Sequence, residues 1–144
     1  MELNYDKLAM VDKGCIKELD KDLNFGSNAK AGKLLALVLH TLRNSFTYHE
    51  SAQFITQLSN PLKVIYIQNW KICPPGKPIK KIDHITEIAM CSNRYPGLWQ
   101  DKITASAAIV ATLKVLNKHI DFTSTDFLED SLKQEILELC TIEQ

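Results

Sequence analysis

The residues able to do chemistry are few and scattered. Four histidines (His40, His49, His84, His119) and four cysteines (Cys15, Cys73, Cys91, Cys140) are the softer metal ligands and nucleophiles. A zinc site needs such ligands to converge at fixed geometry. Here no two histidines stand four apart, no CxxC pair occurs, and His49-Glu50 lacks the second histidine of an HExxH helix. A serine nucleophile on an elbow needs Gly-x-Ser-x-Gly, which is missing. Gly26-Ser27-Asn28-Ala29-Lys30-Ala31-Gly32-Lys33-Leu34 invites comparison with a phosphate-binding loop. It has five residues between its glycines instead of four, and no hydroxyl follows Lys33. It reads as a helix start in which Gly32 permits close helix packing. Asp121, Asp126, Glu129 and Asp130 match no calcium loop and read as acids at helix starts. Cys15, Cys91 and Cys140 fall on or beside apolar stripes, where thiols are usually buried, and Cys73 falls in a proline-rich linker. No catalytic residue, metal or cofactor is assigned.

Two features point to binding. Tyr66 and Trp70 stand four apart at the end of a predicted helix, with Lys63 a turn earlier and Arg43 closing another helix. Aromatics at that spacing read as core. At a helix end beside a polar linker they also read as binding anchors. Arg43, Lys63, Tyr66 and Trp70 are therefore the candidate binding residues, lining a mouth between two halves of the chain. The second feature is charge. Residues 71–104 carry six basic and three acidic groups, whereas residues 105–144 carry three and seven. Lys71, Lys77, Lys80 and Lys81 make a basic linker. It could attract an anionic partner such as nucleic acid, dock the two halves, or simply be solvated.

These residues sit on helical periodicity throughout. Leu8, Val11, Cys15, Leu19 and Leu23 predict one amphipathic helix over 5–23, and Gly26 suits the exit. A wide stripe from Ala31 to Phe46 predicts a central buried helix over 29–45. Thr47 with Glu50 makes a capping box for a third helix, with Ala52, Ile55 and Leu58 inward. Pro61 sits in the first turn of a fourth, 60–70. Three of the five prolines lie in 74–78 and predict an extended linker. Beyond it come helices from Ile82, over 101–119, a short one over 123–130, and a last one over 131–141, with Arg94-Tyr95-Pro96-Gly97 as a turn. No stretch alternates as a strand does.

With 144 residues, 45% apolar and 24% charged, the chain is globular, and its 17 basic and 17 acidic groups cancel. A dedicated DNA-binding domain is normally more basic. The longest nearly apolar run, Leu34 to Leu39, falls far short of the roughly 20 residues of a membrane span. The first residues lack the basic start and apolar run of a signal peptide, and a chain this size needs no disulfides, so a cytoplasmic setting is expected. Shifted by 74 residues, the sequence overlays itself without a gap. Ala31, Leu35, Leu39, Leu42 and Phe46 meet Ala105, Ile109, Leu113, Leu116 and Ile120, and Phe25 meets Trp99. The expectation is an all-α fold of about eight helices, as two similar four-helix halves (1–70 and 81–144) joined by a linker (71–80) around one core.

Leu35 to Arg43, Tyr48-His49-Glu50-Ser51-Ala52, Gln57-Leu58 and Tyr66-Ile67-Gln68-Asn69-Trp70 resemble the bacterial domain-of-unknown-function family numbered 2267. Its first half carries a "VLHALRDRL" helix, an "EEA" helix start, an "AQLP" turn and a "YYEGW" ending, and Ile82 to Met90 resembles its "FLARVA"-like helix. The chain departs at Ser59, Lys63-Val64 and Asn69, where the family has proline, Arg-Gly and glycine. The resemblance implies an all-helical bacterial, cytoplasmic protein and brings no biochemical activity with it. The functional expectation is a non-enzymatic module that binds a protein or small ligand between the halves. Nucleic-acid binding through 71–81 and an enzyme assembled only in three dimensions are the alternatives. The same helices could pair two chains as readily as two halves.

Overall fold

The structure is a computed structural model describing residues 4–11, 14–24, 26–71, 76–91 and 102–142. Among these, eight α-helices and one 3-10 turn form, and no strand does. The helices are α1 (Tyr5–Val11), α2 (Cys15–Leu23), α3 (Asn28–Asn44), α4 (Tyr48–Ile55), α5 (Asn60–Ile67), α6 (Ile82–Cys91), α7 (Lys102–Asn117) and α8 (Asp130–Ile142). The 3-10 turn spans Phe122–Ser124. No helix among the described residues is long and apolar enough to cross a membrane.

α3 is the axis of the fold because its apolar residues wrap around the whole helix, from Ala31 to Leu42. It packs on α1, α2 and α5, and on α6 and α7 from the later part of the chain. α7 in turn meets α2, α6 and α8, so the buried side chains form one continuous cluster. The start of α3 follows its sequence. The Ser27 hydroxyl accepts from Lys30 N at 3.3 Å, and Ser27 N donates to Asp20 Oδ1 at 2.9 Å. Gly32 admits the Tyr5 ring, which occupies the place a Cβ would take. The close-packing reading of the glycine-rich segment is the one observed.

α4 begins with the expected capping box. Glu50 N donates to Thr47 Oγ1 at 3.1 Å, and Thr47 N donates to Glu50 Oε1 at 2.8 Å. Later contacts bind the two ends of the chain together. Gln57 Nε2 donates to Thr125 Oγ1 at 3.2 Å, Phe46 meets Phe127 edge-on at 4.9 Å, and Lys118 pairs with Glu18. The end of the linker and the start of α6 lie against α8, with Ser131 Oγ donating to Lys80 O at 2.6 Å and Ile82 N to Glu135 Oε1 at 3.1 Å.

Five expectations need correction. The helix expected over 5–23 is two helices, because Gly14 takes φ +101°, a left-handed backbone that side chains resist. The apolar spacing from Val11 to Cys15 survives the break, so periodicity alone hides it. The short helix expected over 123–130 is only the 3-10 turn Phe122–Ser124, capped by Asp121, followed by turns. Hydroxyls at Thr123, Ser124 and Thr125 bond to Asp121 oxygens and compete with helical pairing. The fourth helix stops at Ile67, three residues short of Trp70. Cys91 and Ala52 are exposed, whereas Cys15 is buried as expected. The side chain of Cys140, the linker residue Cys73, the turn at 94–97 and the Phe25–Trp99 pair lie outside the described residues.

Candidate functional site

The last turns of α3 carry His40 and Arg43 three apart, both buried although polar. Each reaches across to the end of α5, whose last carbonyls have no partner within their own helix. His40 Nε2 lies 2.7 Å from Ile65 O. A carbonyl only accepts, so that nitrogen carries the hydrogen. Arg43 Nη1 donates to Tyr66 O and, at 2.9 Å, to Gln68 O. The guanidinium thus caps the helix end where the dipole is negative.

Tyr66 is fully buried between these groups and α4, with its hydroxyl 2.8 Å from Ser51 Oγ. Burial pushes its phenol up to about 12, against the lowering effects of Ser51 and the Arg43 charge. It stays neutral at physiological pH and holds structure rather than moving protons. Asn69 then turns the chain back with φ +56°. Trp70 N donates to Ile67 O at 3.1 Å, and the indole folds over the helix end. Its ring meets Tyr66 edge-on at 6.1 Å and stacks on Tyr48 at 5.4 Å and 18°. Beneath lies a notch of about 20 Å³ reached by Arg43, Asn44, Phe46, Tyr48, Ser51, Trp70 and Lys71.

Phe46 lines a second and larger recess. This cleft of about 210 Å³ opens between the end of α3, the start of α4, the linker at Pro78-Ile79, and residues 127–132. Its walls are Leu42, Phe46, Ile79, Phe127, Leu128 and Leu132, with Ser45, Glu50 and Glu129 as polar groups. Two of those are already engaged: Ser45 Oγ donates to Leu42 O at 2.7 Å, and Glu50 Oε1 accepts from Thr47 N. Among the described residues, no three His, Cys, Asp or Glu side chains are placed to hold a metal.

Of the four candidate residues, the structure brings Arg43, Tyr66 and Trp70 together, but not on one helix face. Arg43 and Tyr66 form the buried support, Trp70 is half-buried above it, and Lys63 is half-buried on α5 and lines neither recess. Lys71, Lys77, Lys80 and Lys81 are all exposed. Lys71 borders the notch, whereas the backbone of Lys80 is fastened to α8. Sequence reading did not single out Tyr48, which the structure leaves 60% exposed; its place just after the Thr47 cap was the only signal in the sequence. It also missed His40, hidden in an apolar stripe.

These residues fall within a match to a described family, "Uncharacterized conserved protein (DUF2267)", over residues 13–139. The chain belongs to the DUF2267 family. A comparison with curated proteins finds no match. The DUF2267 match runs from just before α2 into α8, so it takes in the Arg43 support, the aromatic pair and the cleft alike. The family description assigns no activity to any of them.

Proposed function

We propose that this chain is a non-enzymatic binding module of the bacterial cytoplasm, taking a protein segment or small ligand where its two halves meet. The observation that carries this reading is the cleft of about 210 Å³ between α3–α4 and residues 127–132. Mixed clefts with apolar walls and a few polar groups are where small ligands and partner side chains bind. The Tyr48–Trp70 stack stands beside it across Phe46, and Trp and Tyr are the commonest anchors of binding surfaces. Engagement of Ser45 and Glu50 with the backbone favours binding over chemistry. Free thiols at Cys15 and Cys91 suit a reducing compartment.

The two halves, 1–70 and 81–144, joined by the linker 71–80, are read as related by duplication within a single domain. At the 74-residue offset α3 falls on α7 to within a residue at each end. The cap of Glu50 N by Thr47 falls on the cap of Ser124 N by Asp121. Ile88 stands where Gly14 breaks the first half, which fits the unbroken α6.

Native mass spectrometry of untagged protein purified from its own cells tests the binding reading. A co-purifying mass should be present on the wild type and lost in Trp70→Ala, with unfolding of the variant still cooperative. A bare wild-type monomer overturns it; an adduct that Trp70→Ala retains takes Trp70 off the binding surface and leaves the cleft, which Trp70 does not line. Collapse of that variant would place Trp70 in the core instead.

A further inference from the structure

We infer that the cleft of about 210 Å³ takes a small organic cation, a protonated amine carried on one compact apolar group. This rests on the reading of the cleft as the place of binding and names the chemical class of its ligand. Among the described residues that line the cleft, Glu50 and Glu129 are the only charged ones. Lys77 and Lys80 stand exposed on either side of Pro78-Ile79 and do not line it. Glu50 spends one oxygen on Thr47 N, a bond that leaves its charge in place, and Glu129 is half-buried. Helix ends shift this balance without reversing it. α4 and α8 begin beside the cleft and bring about half a positive charge each, while α3 ends there and brings about half a negative one. Two full carboxylate charges outweigh that sum, so a cation is drawn in and an anion is repelled.

The walls select the rest of the ligand. Phe46 and Phe127 meet edge-on at 4.9 Å, and Leu42, Ile79 and Leu132 extend the apolar lining. Such walls favour an apolar body, and aromatic faces also attract a cation. The volume falls below the roughly 300–1,000 Å³ of sites for drug-sized molecules, so the body must be a single ring or short chain. A free molecule fits this cleft better than a peptide segment does. No strand edge among the described residues is offered to a peptide backbone, and one small recess cannot seat the row of anchors that a docked helix carries.

The test follows backbone amide chemical shifts at neutral pH while the protein is titrated with phenethylamine, phenethyl alcohol and phenylacetate, which share one ring and differ in charge. A blocked glycyl-lysyl-glycine peptide is the fourth probe. Saturable shifts at Phe46, Ile79 and Leu128 are expected with the amine, weaker binding with the alcohol, and none with phenylacetate. Glu50→Gln and Glu129→Gln should each weaken amine binding about fivefold, the worth of one unit charge at about 4 Å in water, and leave the alcohol unchanged. Glutamine also completes a capping box, so Glu50→Gln should keep the α4 cap and the unfolding midpoint. Equal affinity for amine and alcohol, a preference for phenylacetate, or amine binding indifferent to both substitutions overturns the inference while leaving the cleft a binding site. A peptide that binds more tightly than the amine gives the cleft to a protein segment and overturns it too. Silence at the cleft with all four probes also overturns the inference, and the broader binding reading is then decided by the wild-type mass spectrum.

Discussion

Substituting Tyr66 with phenylalanine should remove a defined pH dependence from the stability of the protein. The phenol is fully buried, and burial raises its pKa from 10.0 to about 12, with Ser51 and Arg43 pulling the other way. Because the folded state holds this proton more tightly than the unfolded state, its contribution is intact below pH 10 and declines as pH rises through the folded value. The loss is about 1 kcal/mol near pH 11 and approaches about 3 kcal/mol above 12. Set against a total of roughly 5–15 kcal/mol for an ordinary domain, that is measurable. Urea unfolding of the wild type and Tyr66→Phe between about pH 8 and 11.5 is the assay. At neutral pH the variant should be the weaker by about 1–2 kcal/mol, because Ser51 Oγ loses its buried partner. Toward alkaline pH the gap should narrow, since the other titrating groups are common to both proteins. Parallel curves would show that the phenol does not resist ionisation, and would undo the account of Tyr66 as a neutral strut.

Substitutions at three further positions test the support around it and the packing of the first helices. Arg43→Ala strips the donor from two carbonyls at the end of α5 and should cost about 2–4 kcal/mol in chemical denaturation. Arg43→Lys should recover only part, because an ammonium cannot reproduce the guanidinium fork. A loss under about 0.5 kcal/mol would refute the capping role. Gly32→Ala drives a Cβ into the Tyr5 ring and should cost about 1–3 kcal/mol, with faster proteolysis near α1. Gly14→Ala meets open space but a strained φ of +101°, so about 1 kcal/mol should be lost in thermal unfolding without any change in packing. An unchanged midpoint would mean that the α1–α2 turn adapts.

Helical class, the central position of α3 and the Thr47–Glu50 cap were legible because each depends on near neighbours in sequence. Leu35, Leu39 and Leu42 announce a buried face by spacing alone, and a capping box is complete within four residues. What escaped depends on contacts between distant segments. Nothing local says that Arg43 reaches residues 66 and 68, so it read as a candidate binding residue at a helix end. Nothing local says that Asn69 reverses the chain, so Trp70 read as the next turn of a helix and Tyr48 went unnoticed as its partner. The cleft escaped too: none of Arg43, Lys63, Tyr66 and Trp70 lines it, and its walls from Pro78-Ile79 and residues 127–132 could be found only in three dimensions.

The residues that carry the family resemblance divide by where they end up. Leu35 to Leu42 are core, Arg43 and Tyr66 are buried polar support, Glu50 completes the cap of α4, and Gln57 reaches Thr125 across the chain. All of these hold the fold together. A motif made of such residues specifies a fold, and a shared fold is no warrant for a shared activity. Tyr48 and Trp70 are the exception. Trp70 is half-buried and touches the core at the edge of Tyr66, and Tyr48 is largely in solvent. The fold spends a left-handed asparagine and a buried arginine on holding one indole flat against one exposed phenol ring. A surface ring so firmly braced gains little stability from its exposed side, and that is the physical reason to look for function there first.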